Sequence, residues 1–309
     1  MPHKKFTAAG LAAVACVAVA ACSSSGGSKS SSGSNPLSPS ASNSVVVGSA
    51  NFPEDELLAQ IYADVLQSAG VKVTTKFNIG AREVYYPEVV KGAISVIPEY
   101  NGALLTTSVD KTSTAASTAD VDAALKAKLP SSVEILNSSA AQDKDSITVT
   151  QANATKYHLT SIADLSSVAK TWVIGGPSEF ETRADGIPGL KKVYGLTFKS
   201  FSPLDESGPI TLAALQNGKV QAADVFTTTP QIITDKLLSL SDPKNMFAAQ
   251  NILPLVYKKA ASAKVVSALN SVSAKLTTAD LLAMNKSLSI DHQSYTTVAS
   301  NWLTQNGLK

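Results

Sequence analysis

Short apolar runs alternate with amphipathic stretches from residue 45 onward, and this alternation predicts an α/β fold. Val45–Gly48 is typical of a buried first strand, and the acidic residues 54–56 suit the first turn of a helix that Gly70 would end. Further strands are predicted at residues 71–79, 94–100, 132–136, 145–150, 171–176, 198–201 and 252–256. Further helices are predicted near residues 82–91, 121–129, 161–169 and 209–217, and from 262 to 302.

Residues 91–105, KGAISVIPEYNGALL, predict a strand that ends in Tyr100 and turns at an Asn-Gly pair. Residues 217–229 repeat the pattern, because Phe226 follows a glycine at the same interval as Tyr100 does. The carboxyl edge of an open α/β sheet is where ligands bind, so two such units would place two rings in one cleft. Both rings could equally close the cores of their sheets, and the two interpretations are about even on the residues alone.

The order of elements predicts two lobes joined by two crossings. Lobe 1 would comprise residues 45–147 and 254–309, and lobe 2 residues 148–253. The apolar run at 171–176 ends in glycine like the run at 45–48, and we take it as the first strand of lobe 2. Two crossings make a hinge, and hinge closure around a ligand is a known domain motion.

Residues 1–44 have the composition of a leader and a tether. Lys4 and Lys5 precede an apolar run too short to span a bilayer, which predicts a signal peptide over residues 1–21. Cys22 follows Val-Ala-Ala as in a bacterial lipobox, whose cysteine carries diacylglycerol, and the Ser/Gly-rich residues 22–44 would form a flexible linker. This predicts a lipid-anchored protein on the extracytoplasmic face of the cell membrane; an ordinary signal peptide with an incidental cysteine is the alternative.

Charge and composition exclude several function classes. The chain has 26 basic and 24 acidic residues, a net charge of +2 with no basic run, which argues against a nucleic-acid partner. Cys16 and Cys22 both lie in the leader region, so the body has no disulfide or thiolate metal site, and no cofactor is predicted. His158 and His292 lack metal-ligand spacing. Without a Gly-x-Ser-x-Gly elbow the chain is not predicted to be an enzyme; a secreted hydrolase using one of these histidines is a remote alternative.

Several stretches, in order and spacing, resemble the substrate-binding proteins of ABC importers for osmoprotectants such as glycine betaine, choline, carnitine and proline betaine. They are GSANF at 48–52, REVY at 82–85, PEYNG at 98–102, GGP at 175–177, TR at 182–183, VYGLTF at 193–198 and AAQN at 248–251. The resemblance implies a two-lobe periplasmic-binding fold of the type II, flytrap-like kind. It also implies a monomer that holds a small solute in the interlobe cleft and delivers it to permease and ATPase subunits.

The same resemblance implies which residues contact the solute. In this family a cage of aromatic rings holds a quaternary ammonium by cation–π attraction, worth about 0.5–2 kcal/mol per ring. Tyr100 falls on a cage tyrosine, Phe226 where a second-lobe cage tyrosine stands, and Arg183 on the arginine whose fork binds a carboxylate. The predicted ligand-binding residues are Asn51, Tyr100, Asn101, Arg183, Phe226, Thr227 and Gln250.

The chain also departs from the family pattern. Ala103 replaces a threonine and Ala50 a frequent lysine, while Ser146, Ile147 and Gln250 stand where some members place further cage tyrosines. The cage is therefore more polar than usual, and a non-quaternary ligand, an uncharged aromatic or a polyol, is the alternative. Candidates for replacement rings are Phe52, Tyr86 and Phe180.

Overall fold

Each of two lobes is built around a five-stranded mixed sheet. The computed structural model describes residues 44–309; the predicted signal peptide, the linker up to residue 43 and Cys22 lie outside the described residues. The strands are β1 Val45–Gly48, β2 Val73–Lys76, β3 Val96–Tyr100, β4 Val133–Ile135, β5 Ile147–Thr150, β6 Val173–Gly176, β7 Ser200–Pro203, β8 Ala222–Asp224, β9 Leu237–Ser239 and β10 Ile252–Tyr257. No helix between residues 44 and 309 is long and apolar enough to cross a membrane.

Helices alternate with the strands along the chain, as expected for α/β architecture. They are α1 Pro53–Ser68, α2 Arg82–Lys91, α3 Asn101–Leu104, α4 Thr118–Lys128, α5 Gln151–Tyr157, α6 Ile187–Tyr194, α7 Pro209–Gln216, α8 Gln231–Thr234, α9 Ala263–Ser273, α10 Thr278–Ser289 and α11 Tyr295–Gln305. Short 3-10 turns occupy Ile162–Ser167, Ala169–Thr171, Ser178–Glu181 and Lys258–Ala260, and a π-helical turn spans Leu105–Val109.

The strand order is the same in both lobes when each sheet is read from its parallel edge. In lobe 1 the order is β2-β1-β3-β10-β4, with β1 parallel to both neighbours and β10 antiparallel to β3 and β4. In lobe 2 the order is β7-β6-β8-β5-β9, with β6 parallel to both neighbours and β5 antiparallel to β8 and β9. Strands β3 and β8 hold the same place in their sheets. The residues that follow these two strands therefore lie at the same edge of each sheet.

The chain crosses between the lobes twice, before β5 and before β10. The two crossings run side by side, since Gln142 and Asn251 form an antiparallel bridge and the Asp143 amide donates to the Gln250 carbonyl at 3.1 Å. Strand β5 belongs to the lobe 2 sheet and β10 to the lobe 1 sheet, while the lobe bounds at residues 147/148 and 253/254 stay predictions. Because β5 pairs with β8 and β9, it precedes the strand at 171–176 as the first strand of the lobe 2 sheet.

The lobe 1 core joins the two ends of the described chain. Buried residues of α1, among them Leu57 and Ile61, pack in one cluster with Leu269, Leu281 and Trp302 of the C-terminal helices. The predicted helical tail is three separate helices, because capping side chains restart it: Thr277 and Asp280 form a reciprocal capping box, worth about 1 kcal/mol. The C-terminal helices therefore pack on lobe 1, as expected for a chain that crosses back to lobe 1 before β10.

Three local predictions differ from the structure. The Asn101-Gly102 pair, predicted as a turn, is instead the start of α3, whose N-cap is Tyr100; the Asn101 side-chain oxygen accepts from the Gly102 amide at 2.8 Å. The helix predicted at 161–169 is a 3-10 turn with a Ser161–Asp164 capping box. Helix α5 was not predicted, since a seven-residue polar helix has little apolar periodicity.

Gly92 and Gly195 both end helices with a left-handed backbone, at φ of 81° and 71°. A Cβ on Gly92 would lie 2.6 Å from the Tyr257 ring, whereas nothing lies within 4 Å of one on Gly195. We expect Gly195→Ala to lower the free energy of unfolding by about 1 kcal/mol through backbone strain alone. Gly92→Ala should cost about 1–3 kcal/mol more through overpacking. Urea denaturation checks this, and equal losses in the two variants would contradict the packing argument.

Candidate ligand-binding site

A cavity of about 40 Å³ lies where the two lobes and their crossings meet. Its lining residues are Ala50, Phe52, Arg82, Tyr85, Tyr100, Ala103, Asp143, Asp145, Arg183, Glu206, Phe226 and Gln250. Tyr100 is the last residue of β3 and Phe226 follows β8, so the equivalent edges of the two sheets each contribute a ring. Both interpretations of these rings hold in part, because each ring lines the cavity while Tyr100 also belongs to the lobe 1 core and Phe226 packs against that core.

The rings of the cleft form a continuous aromatic surface across the lobes. The centroid of Phe52 lies 5.8 Å from that of Tyr100 and 5.2 Å from that of Phe226, the latter pair edge-to-face. These separations are favourable for aromatic pairs. Phe52 thus connects a ring from lobe 1 to a ring from lobe 2, and Tyr85 adds a fourth ring to the lining.

Only one of the three candidate replacement rings lines the cleft. Phe52 does, but Phe180 is buried in the lobe 2 core and Tyr86 packs on the lobe 1 core. Tyr85 is itself 2% exposed, so its ring is both a core residue and part of the cleft wall.

The Tyr100 hydroxyl is fixed on the side away from the solvent. It donates to Glu54 at 2.8 Å, and Glu54 also accepts from the Thr228 hydroxyl at 2.6 Å and the Asn285 amide at 2.5 Å. Burial raises the pKa of Glu54 despite these hydrogen bonds, and burial together with the nearby Glu54 raises the pKa of Tyr100 well above its usual range. The hydroxyl is thereby committed to a buried network, which leaves the ring for the cleft.

Arg82, which was not among the predicted ligand-binding residues, lines the cleft and is held by a buried carboxylate. Its Nε lies 3.1 Å from both oxygens of Glu99 and its Nη2 lies 3.0 Å from one of them. Glu99 also accepts from the Tyr85 hydroxyl at 2.9 Å and the Tyr100 amide at 3.1 Å. Because Glu99 is 0% exposed and Arg82 8% exposed, this pair is a structural part of the cleft floor.

Arg183, predicted to bind a carboxylate, already holds one from the opposite lobe. Its Nε lies 3.1 Å from Oε1 of Glu83 and its Nη2 3.0 Å from Oε2, a bidentate pair between lobe 2 and helix α2 of lobe 1. Burial would raise the pKa of Glu83, but the hydrogen bonds and charge of Arg183 outweigh it and lower that pKa. A second contact crosses the cleft, since the Thr106 hydroxyl donates to Asp185 at 2.7 Å.

Three acids line the cleft, and none of them was predicted. Asp143 accepts from the Thr228 amide at 3.0 Å, and Asp145 accepts from the Gln250 amide at 2.7 Å. Burial raises the pKa of Asp143, and it raises the pKa of Glu206 from 4.5 to about 7. Among residues 44–309 no three carboxylate, histidine or cysteine side chains are placed to hold a metal ion.

Three predicted site residues do not line the cleft. Asn51 is exposed, although its neighbours Ala50 and Phe52 are both in the lining. Asn101 is fully buried: its amide donates to Asp122 at 2.7 Å, and its oxygen accepts from the Asn251 amide at 2.8 Å. The Thr227 hydroxyl donates to Asp143 at 3.2 Å from an exposed position.

The polar side-chain atoms of Asn101 and Thr227 thus form hydrogen bonds within the protein. Tyr100, Arg183, Phe226 and Gln250, the other four predicted residues, all lie in the lining. So do Ala50 and Ala103, the two positions where alanine replaces a longer side chain of the family pattern.

Comparison with known proteins places this two-lobe architecture in a family. The sequence profile of OpuAC, the substrate-binding domain of the ABC-type glycine betaine transport system, matches residues 43–305. The chain belongs to this family. The predicted family and the predicted two-lobe fold are confirmed, and the family is one of transport subunits.

Within the OpuAC family, the chain is 29% identical to the glycine betaine-binding protein YehZ of Escherichia coli (strain K12) over 280 residues, 86% of this chain and 92% of the relative. It is 24% identical over 271 residues to the ergothioneine transport permease/ergothioneine binding protein EgtU of Helicobacter pylori (strain G27), spanning 48% of that protein. The crystal structure of a glycine betaine/carnitine/choline ABC transporter protein has a TM-score of 0.66 at 20% identity, over 85% of this chain and 99% of that one.

Proposed function

We propose that this protein, a substrate-binding member of the OpuAC family, holds a quaternary ammonium solute in the interlobe cleft and delivers it to an ABC permease. The observation that carries the proposal is the aromatic surface of Phe52, Tyr100 and Phe226, which spans both lobes beside a group of acids. Choline, glycine betaine, carnitine and proline betaine are the candidate solutes.

The chemistry of the cleft suits such a cation. A quaternary ammonium has no N–H to donate, so its attraction depends on ring faces and on nearby negative charge, at about 0.5–2 kcal/mol per ring. A solute that touches Tyr100 from lobe 1 and Phe226 from lobe 2 favours the closed arrangement, since it gains contacts that the open one lacks. Closure would then signal occupancy to the permease and its ATPase partner.

The membrane attachment is proposed from the sequence. Cys22, preceded by Val-Ala-Ala, would carry the lipid after cleavage of residues 1–21, and the Ser/Gly-rich stretch that follows would let a monomeric body reach the permease from the extracytoplasmic face. Radiolabelled lipid precursor incorporated into the wild type but not into Cys22→Ala tests the anchor independently of solute binding.

A thermal-shift series tests the proposed ligand class. At a solute concentration of about 100 times Kd, binding adds about 2.7 kcal/mol to the folded state, which raises Tm measurably. The series comprises the four candidate solutes and 3,3-dimethylbutan-1-ol, the neutral carbon isostere of choline. At least one quaternary solute should raise Tm while the isostere does not. If the isostere raises Tm as much as choline does, the uncharged-ligand alternative is correct, and if none of the five acts, this solute class is wrong.

Glu206 makes choline binding depend on pH. Burial raises its pKa to about 7, with Arg183 lowering it and Glu179 raising it, so near neutral pH the group is partly protonated. A cation binds better beside the carboxylate than beside the acid, so choline affinity should rise between pH 6 and 8, by up to about tenfold. Titration calorimetry across this range checks the effect, since choline carries its charge throughout. Glu206→Gln should flatten the profile; an unchanged slope in that variant would assign the effect to another group.

The same raised pKa has the opposite effect on the stability of the ligand-free protein, which falls as pH rises. The folded state holds the Glu206 proton more tightly than the unfolded chain, whose carboxyl has its ordinary pKa of 4.5. Glu206 therefore makes the ligand-free protein less stable as pH rises from about 4.5 to about 7. Bound choline should offset this loss.

A further inference from the structure

Both arginines in the cleft wall are already bonded to carboxylates of the protein. Arg82 is bonded to Glu99 on the floor, and Arg183 is bonded to Glu83 across the lobes. The Arg183 pair uses Nε and Nη2, the edge of the guanidinium best suited to a bidentate carboxylate. A ligand carboxylate that enters the cleft therefore finds both lining arginines already paired with carboxylates of the protein.

Apart from the tyrosines, the other ionisable side chains of the wall are carboxylic acids. Asp143, Asp145 and Glu206 line the cleft, and within residues 44–309 none of the three forms an ion pair with a lysine or arginine. Placing like charges together across an interface is costly, which gives electrostatic selection between ligands of similar shape. A zwitterion would bring its own carboxylate to this acidic wall, whereas a solute of net positive charge would not.

We propose that Glu83 determines ligand specificity: by occupying the fork of Arg183, it makes the cleft select solutes of net positive charge over zwitterions that carry a carboxylate. This rests on the proposed function of the cleft and names the subclass of solute within it. To bind Arg183, the carboxylate of a betaine must displace Glu83; to avoid Arg183, it must face the three acids. The hydroxyl of a choline-like solute does neither.

Glu83 is placed to act through Arg183 without forming the cavity wall itself. It lies on α2 with its side chain 47% exposed, while Arg183 is 14% exposed and lines the cleft. Since the pair joins the lobes, Glu83 also contributes to closure, and that contribution is common to every ligand. The ratio of two affinities removes the common part and isolates the effect on specificity.

Choline and glycine betaine form a suitable pair of ligands, because they share the trimethylammonium head and differ in hydroxyl against carboxylate. Titration calorimetry of the full-length protein at pH 8, above the pKa of about 7 of Glu206, should give choline the tighter binding by about tenfold or more, about 1.4 kcal/mol. In Glu83→Gln, which keeps the side-chain shape but removes the charge that pairs with the guanidinium, that ratio should fall about tenfold through gained betaine affinity. Glu88→Gln is the matched control, because it removes from the same helix a carboxylate that pairs with Lys91. This substitution should leave the ratio unchanged.

The outcomes separate this inference from the proposed function. Glycine betaine binding as tightly as choline to the wild type overturns the inference without any variant. An equal change for both ligands in Glu83→Gln also overturns it, since Glu83 would then act on closure alone. If neither ligand binds the wild type, the proposed function fails and the inference fails with it.

Discussion

Arg82→Met is expected to lower the free energy of unfolding by about 3–5 kcal/mol, the usual cost of leaving a buried charge without its partner. Glu99 is fully buried and would keep only the Tyr85 hydroxyl and the Tyr100 amide as donors. Methionine replaces much of the arginine stem, so the loss measures the missing charge more than a cavity. Guanidinium denaturation followed by circular dichroism gives the value.

The matched control is an ion pair on the surface. Lys286 and Asp291 lie 3.0 Å apart with 57% and 39% of their side chains exposed, so Lys286→Met should change stability by about 0–1 kcal/mol. Arg82→Met costing no more than Lys286→Met would show that the Arg82–Glu99 pair is not the structural floor of the cleft.

Tyr100→Ala is expected to weaken choline binding by about tenfold or more, because it removes a ring from a cation–π surface, about 1.4 kcal/mol or above. The hydroxyl should matter little for binding, since it donates to Glu54 within a buried network. Tyr100→Phe is therefore expected to keep choline affinity within about threefold while lowering stability by about 1 kcal/mol, one hydrogen bond to a buried acid. Titration calorimetry and denaturation of both variants provide the two readouts.

The two variants divide the roles of one side chain between binding and folding. Wild-type affinity in Tyr100→Ala would remove this ring from the site. A loss in Tyr100→Phe as large as in Tyr100→Ala would instead mean that the hydroxyl, and with it the Glu54 network, controls binding.

The sequence predicted the fold well because periodicity reports burial. Strands such as β1 and β10 are continuous apolar runs, and the glycine after α2 has the left-handed backbone expected at a helix end. Tyr100 and Phe226 were found for the same reason, since a ring at the end of a buried strand must lie at a sheet edge. Local pattern was sufficient wherever the determining contacts were local.

Most of the polar side of the cleft could not be predicted in this way. Asp143 and Asp145 lie in a crossing segment and Glu206 in a loop. Such segments have no regular alternation of apolar and polar residues that would indicate which side chains face the cleft. Glu83 and Arg183 meet only because two lobes close on each other, which no spacing in the chain encodes. Asn101 was predicted to contact the solute, but it does not line the cavity, because its side chain bonds to Asp122 and to the Asn251 amide.

A crystal structure of the protein with choline would show whether the rings of both lobes hold a quaternary cation. We expect the trimethylammonium group in the interlobe cleft, within about 6 Å of the ring centroids of Phe52, Tyr100 and Phe226. Choline bound away from these three rings, or no choline in the cleft at saturating concentration, would contradict it.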